Sequence, residues 1–243
     1  MVKLSFCIKR LPHTGFRGFI TDASDKWIPQ FTALPVLAQS ARTLIVSYTS
    51  RVQDLGLPAR RYDALIELRL DDVGSAAAVL TDKQFEAAAS RAYKAIIDRN
   101  GSAALLTREL PPPVDHDIAA KYGQKPKYRF TTMLMRNSAM SFNEFMRHHK
   151  ERHIPLFSSI PIIQRNVLRY VVSHRISGLS PDGFCGKYDG IVDFWFDNAV
   201  DLAAIFVNPS YLSIVRPDER RFLDLSACDF IISRELPPLI WTN

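Results

Sequence analysis

The 243-residue chain has few of the features that staple, anchor or charge a protein for a specialised task. Its three cysteines, Cys7, Cys185 and Cys228, are scattered, odd in number and without a CxxC pair. That excludes a disulfide framework and a thiolate zinc site. No stretch approaches the ~18 consecutive apolar residues of a membrane span. The opening residues carry Lys3, Lys9 and Arg10 where a secretory leader needs an apolar run. The expected location is therefore the cytoplasm, with no membrane partner. There is no glycine-rich phosphate loop, no G-x-S-x-G elbow and no dinucleotide-binding fingerprint. A massed basic stripe is missing too: the net charge of +6 is spread along the chain. Nucleic acid is accordingly not an expected partner, although an anionic small substrate is compatible with the charge.

What the chain does have is a repeat. Tyr62-Asp63 recurs as Tyr188-Asp189, and Arg108-Glu109-Leu110-Pro111-Pro112 as Arg234-Glu235-Leu236-Pro237-Pro238, both 126 residues on. Arg10 answers Arg136, Phe16 answers Phe142, Phe19 answers Phe145, and Ile28-Pro29 answers Ile154-Pro155 at the same offset. Only the second strand slips by letter identity, where Ser50-Arg51 meets His174-Arg175. Each copy is far longer than a solenoid unit, so the chain is a duplicated domain rather than an array.

Within a copy the pattern predicts β-α-β-β-α-β. In the second copy, 128–135, 167–174, 188–196 and 230–233 read as strands, and 202–206 and 211–225 as helical pieces. Ser141 and Glu144 form a capping box for a first helix that Pro155 should stop. Two four-stranded units each need cover for an open sheet face, and the tandem copy supplies it. The expected architecture is α+β: halves at 1–112 and 127–243, joined by a proline- and charge-rich linker at 113–126. A further homodimer is allowed but not required, so a monomeric pseudo-dimer is the simplest state.

At ~100° per residue, Phe142, Phe145, Met146, His149 and His153 fall on one face of that first helix. His148 lies roughly 120° away. The first copy has Phe16, Phe19, Ile20, Ala23 and Trp27 there, which is wholly apolar. Two imidazoles four residues apart suit proton transfer near neutral pH, though each could instead serve a buried hydrogen bond. Asp193, in an apolar strand, needs a partner. That partner is either His153 or an arginine such as Arg136 or Arg169. Glu67 holds the same place in the first copy, where no histidine waits. His149, His153 and Asp193 would also make a two-histidine-one-carboxylate metal set. His174 is a further pocket candidate, while His13 and His116 read as loop residues.

The runs from Met135 to Phe145, from His149 to Leu156 and from Tyr188 to Phe196 resemble the EthD-like branch of the dimeric α/β-barrel proteins. His153 matches that family's helix-end histidine. Asp193 stands where the family usually has Glu, His149 where relatives often carry an aromatic, and Trp27 departs from the pattern. The resemblance implies two ferredoxin-like βαββαβ halves packed sheet to sheet, with a pocket between helices and sheet. It also implies cofactor-free chemistry on aromatic or polyketide-like molecules. The expected function is thus a cofactor-independent lyase or isomerase. In it His153 is the general acid/base, His149 a second proton-transfer group and Asp193 an orienting carboxylate. Phe142, Met146, Tyr188, Trp195 and His174 would contact the substrate. The alternatives are a cofactor-free monooxygenase of a phenol, a non-catalytic carrier of a hydrophobic ligand, and a haem protein, since barrels of this kind can bind haem.

Overall fold

Side chains alternate between opposite faces along a strand, so short apolar runs here can serve two cores at once. The computed structural model describes residues 1–50, 61–116, 128–176 and 187–241. Cys185 and linker residues 117–126 lie outside the described residues. The first half contributes β1 (Val2–Ile8), β2 (Ala41–Thr49), β3 (Ala64–Leu70) and β4 (Ala103–Glu109), followed by a short β5 (Val114–Asp115). The second contributes β6 (Tyr128–Leu134), β7 (Arg169–Arg175), β8 (Gly190–Phe196) and β9 (Asp229–Glu235), followed by β10 (Leu239–Ile240).

The strands run in the order β2-β3-β1-β4 and β7-β8-β6-β9. Pairing of β4 with β7 and of β9 with β2 closes all eight into an antiparallel barrel. The two sheets are therefore hydrogen-bonded at both seams as well as packed, which leaves neither with a free edge. The short arms cross over. β5, after the first half, pairs with β7 of the second, and β10 pairs with β2 of the first. Residues 114 and 115, expected as linker, thus extend a sheet, and Val114 is buried.

The register also corrects the alignment of the second strands. Tyr48 faces Ala64 and His174 faces Gly190, so Tyr48, 126 residues away, is the counterpart of His174. The Ser-Arg and His-Arg dipeptides matched by letter, whereas hydrogen bonding keeps one offset throughout. Gly190 sits where a Cβ would come within 2.8 Å of the Ser173 carbonyl oxygen, so this strand crossing demands glycine.

The first helix of each half breaks phase at the same place. Phe142–His148 runs into a π turn, His149–His153, and then into Ile154–Ser158; the first half repeats this with Phe16–Asp22, Ala23–Trp27 and Ile28–Thr32. The Ser141–Glu144 capping box forms as expected. The expected stop at Pro155 does not: Ile154 is helical at φ −58° and ψ −51°. A proline ring clashes with the carbonyl four residues back, and for Pro155 that residue lies inside the widened π turn. Because Pro29 follows the same turn in the first half, the π turn belongs to the fold and not to the site.

The barrel interior holds a buried ion cluster built from repeat equivalents. Lys3 Nζ lies 2.9 Å from Asp193 Oδ2 and 3.2 Å from Glu67 Oε1. Arg129 Nη2 lies 2.8 Å from Asp193 Oδ1, Arg129 also pairs with Glu67, and Thr131 Oγ1 donates to Asp193 at 2.7 Å. Lys3 and Arg129 are 126 apart, as are Glu67 and Asp193, and a third equivalent pair, the less buried Glu109 and Glu235, approaches Lys3 and Arg129 at 3.7 and 3.0 Å. Burial alone would lower Lys3, yet Asp193 and Glu67 hold it above its usual value. Such a cluster adds little net stability, but breaking it strands a charge. Tyr62 and Tyr188, again equivalents, meet hydroxyl to hydroxyl at 2.6 Å, which is possible only near that axis. Asp63 accepts from the Arg10 amide and Asp189 from the Arg136 amide, so the repeated Tyr-Asp pair is architecture.

Candidate functional site

Outside the barrel, between its sheet and the helices of the second half, lies a cavity of about 340 Å³. Phe130, Phe157, Tyr170, Phe194 and Phe222 give it aromatic walls, and His149 and His153 reach it from the first helix. At the equivalent place in the first half, Phe6, Leu44, Leu68 and Phe85 leave only about 70 Å³.

His153 Nδ1 lies 3.0 Å from Asp218 Oδ2, and His148 Nε2 lies 3.1 Å from Asp218 Oδ1. Asp218 is only 3% exposed. Burial works to raise its pKa, but the hydrogen bond from His153 and the pull of His148 outweigh it and hold the carboxyl below its ordinary range. Among the described residues, His153 Nε2 has no protein partner, which leaves it for the cavity. The His153 and Phe222 rings lie 4.8 Å apart, as do those of His148 and Phe222. His149 Nδ1 lies 3.0 Å from His174 Nε2, one ring donating to the other. Burial, with His153 and His174 nearby, pushes His149 well below its usual value. Burial, with Lys150, pushes His174 down to about 4. This pair is therefore neutral at physiological pH, and His174 positions His149 from behind rather than lining the cavity.

A second polar group also lines the cavity. Tyr211 Oη donates to Glu219 at 3.0 Å, and Arg216 Nη1 lies 2.8 Å from Glu219 Oε2. Burial pushes Glu219 above its ordinary range; Arg216, His153 and Tyr211 pull it down without cancelling that effect.

Several expected site residues stand elsewhere. Asp193 points into the barrel, on the face of β8 away from His153, and its partners are Lys3 and Arg129 instead of Arg136 or Arg169. It neither orients His153 nor completes a metal set with the two histidines. Among the described residues no three His, Cys, Asp or Glu side chains are grouped to hold a metal ion. Tyr188 and Trp195 are barrel residues as well: Tyr188 bonds Tyr62 and Asp229, while Trp195 stacks on Arg129 and donates to Glu235. Phe142 and Met146 pack on the second core outside the cavity lining, Phe142 beneath Arg175. Strand alternation explains Asp193 and Trp195, because sequence cannot say which face of β8 meets the helix; Tyr188 precedes the strand and escapes its alternation. On the first helix Phe145 and His149 hold the centre of the inward face, while Phe142 and Met146, both N-terminal to the π turn, lie at its flank.

Asp218, His148, Arg216 and Glu219 were missed. The twin comparison that picked out His149 and His153 would have found three of them. Asp218 stands opposite Ala92, Glu219 opposite Tyr93 and Arg216 opposite Ser90. His148, off the apolar stripe, leans sideways onto Phe222 and Asp218.

The EthD domain model matches residues 137–226, a span that contains the whole His148–Asp218–His153 group. The second half is EthD-like, and the whole chain has the dimeric α/β-barrel fold. The chain resembles the crystal structure of an anthrone oxidase-like protein at a TM-score of 0.64 and 8% identity, over 100% of this chain and 93% of that one. It resembles a provisionally named monooxygenase from Fusobacterium nucleatum subsp. nucleatum at 0.54 and 8%, over 98% and 94%. It resembles a mutant chlorite dismutase from Candidatus Nitrospira defluvii at 0.50 and 10%, over 97% and 92%. At these identities the likeness establishes the fold alone. No curated protein matches by sequence. Among the described residues no helix is long and apolar enough to cross a membrane.

Proposed function

We propose that the second half is the active half of a cofactor-independent acid/base enzyme, a lyase or isomerase acting on a small aromatic or polyketide-like compound. One observation carries this reading: His153 gives Nδ1 to a buried carboxylate at 3.0 Å and turns Nε2 toward an aromatic cavity. An imidazole so held accepts a proton at Nε2, and Asp218 stabilises the cation that forms. His149, kept neutral by burial, is a second hydrogen-bonding group on the same wall. The first half is a structural partner. Trp27 fills the place of His153, and Ala23 and Ala92 replace His149 and Asp218, so that half has no group titrating near neutrality there.

The test uses anthrone, whose methylene is a carbon acid. His153 Nε2 takes a methylene proton, the electron pair moves through the ring to the carbonyl oxygen, and return of deuterium from D₂O labels the carbon. Under argon, wild-type protein should accelerate this exchange, and His153→Ala should cut it by roughly a hundredfold or more. Exchange no faster than in buffer, or equal in the two proteins, would overturn the assignment. Binding without exchange would leave a hydrophobic-ligand carrier. A Soret band in the purified protein would make His153 an axial ligand instead.

The names of the first two structural relatives favour a second reading, in which the anion formed by His153 meets O₂ as in a cofactor-free monooxygenase. Oxygen uptake that follows anthrone consumption, and stops in His153→Ala, would select it.

A further inference from the structure

Proton removal by His153 would leave negative charge on a ligand oxygen, and a water-poor cavity must stabilise that charge with something fixed in place. Among the cavity-lining residues, His153 and His149 supply the imidazoles and Arg216 is the one permanent cation. Arg216 is held by two contacts: Nη1 lies 2.8 Å from Glu219 Oε2, and the guanidinium lies 5.1 Å from the centre of the Tyr211 ring, whose hydroxyl in turn donates to Glu219. One edge of the guanidinium is thereby tied down. Its other N–H groups have no protein partner among the described residues. The first half has Ser90, Tyr93 and Phe85 at the positions of Arg216, Glu219 and Tyr211, so the set belongs to the half with the large cavity.

We propose that Arg216, oriented by Glu219 and Tyr211, is an oxyanion subsite, and that the ligands of this cavity are compounds with an ionisable phenol or enol hydroxyl, bound as the anion. The inference rests on the acid/base reading above and names its substrate class. Glu219 engages Nη1 alone, which leaves the other N–H groups of the guanidinium for a ligand oxygen. The aromatic rings that line the rest of the cavity match a flat ring whose hydroxyl reaches Arg216 and whose reacting carbon or hydroxyl proton reaches His153.

4-Nitrophenol tests this without turnover, because its phenolate is yellow and its neutral form is not. Arg216→Met removes the charge at similar volume, Arg216→Lys keeps the charge, and 4-nitroanisole reports affinity for the neutral ring. Bound to wild-type protein about one pH unit below its free midpoint, 4-nitrophenol should be yellow. Arg216→Met should lower the ratio of bound phenolate to phenol by about tenfold or more, the effect of one nearby opposite charge. Arg216→Lys should keep most of it, and 4-nitroanisole affinity should be unchanged. Equal ionised fractions in wild type and Arg216→Met, or no 4-nitrophenol binding to wild type, would overturn the proposal. Loss of the yellow form in His153→Ala with retention in Arg216→Met would also overturn it, by assigning the anion to the imidazole. Failure of the anthrone exchange leaves these optical results intact, so the two readings fail separately.

Discussion

Replacing Asp218 by Asn keeps the shape of the side chain and removes one charge, which isolates the contribution of the carboxylate. Asp218 accepts from His153 at 3.0 Å and from His148 at 3.1 Å while only 3% exposed, so solvent cannot stand in for it. A hydrogen bond to a charged partner contributes about 1.5–3 kcal/mol, which corresponds to roughly 10–150-fold in rate if it is fully felt in the transition state. The amide can also donate to Nδ1 and invert the tautomer of His153, leaving Nε2 protonated and unable to act as a base. In a serine-protease triad that inversion costs about 10⁴. We therefore expect Asp218→Asn to slow anthrone exchange by about 10²–10⁴, and His148→Gln, which removes the second imidazole only, to slow it less. Because Asp218 titrates below its ordinary range when folded, its stabilisation is present above about pH 4 and fades as pH falls. The difference in thermal midpoint between wild type and Asp218→Asn should shrink correspondingly in acid. Exchange within about threefold of wild type in a well-folded Asp218→Asn protein would refute the dyad.

Trp27→His should lower stability by about 1.5–3 kcal/mol through lost aromatic burial, while anthrone exchange stays within about threefold of wild type; melting curves and exchange rates together check this. Gly190→Ala pushes a methyl to 2.8 Å from the Ser173 carbonyl oxygen and should cost about 1–3 kcal/mol, read as a lowered Tm. Arg129→Met leaves Glu67 and Asp193 with Lys3 alone and should cost about 3–5 kcal/mol in urea unfolding. Burial pushes Glu67 up, but Arg129 and Lys3 outweigh it and hold it below the ordinary range. Its stabilisation is thus complete above about pH 4–5 and lost as pH falls, so the stability difference between wild type and Arg129→Met should shrink in acid.

The duplication, and with it the βαββαβ halves and the barrel, was legible in the sequence because spacing survives where identity fades. A fixed 126-residue offset constrains every strand and helix pair at once. The contrast of His149 and His153 with Ala23 and Trp27 was legible for the same reason, since each half serves as the other's control. Three things belonged to the tertiary structure. Strand alternation defines two faces but not which is inside, so Asp193 and Trp195 were placed with the pocket although closure of the barrel turns them into its interior, where Tyr188, just before the strand, joins them. Periodicity gives a helix its apolar stripe but not the centre line of that stripe, and docking puts Phe145 and His149 innermost with Phe142 and Met146 at the flank. The carboxylate that orients His153 comes from Asp218, 65 residues further along the chain, on a helix whose docking is set by the sheet between them. Periodicity reports what a segment turns inward; only the assembled barrel determines which segments then meet.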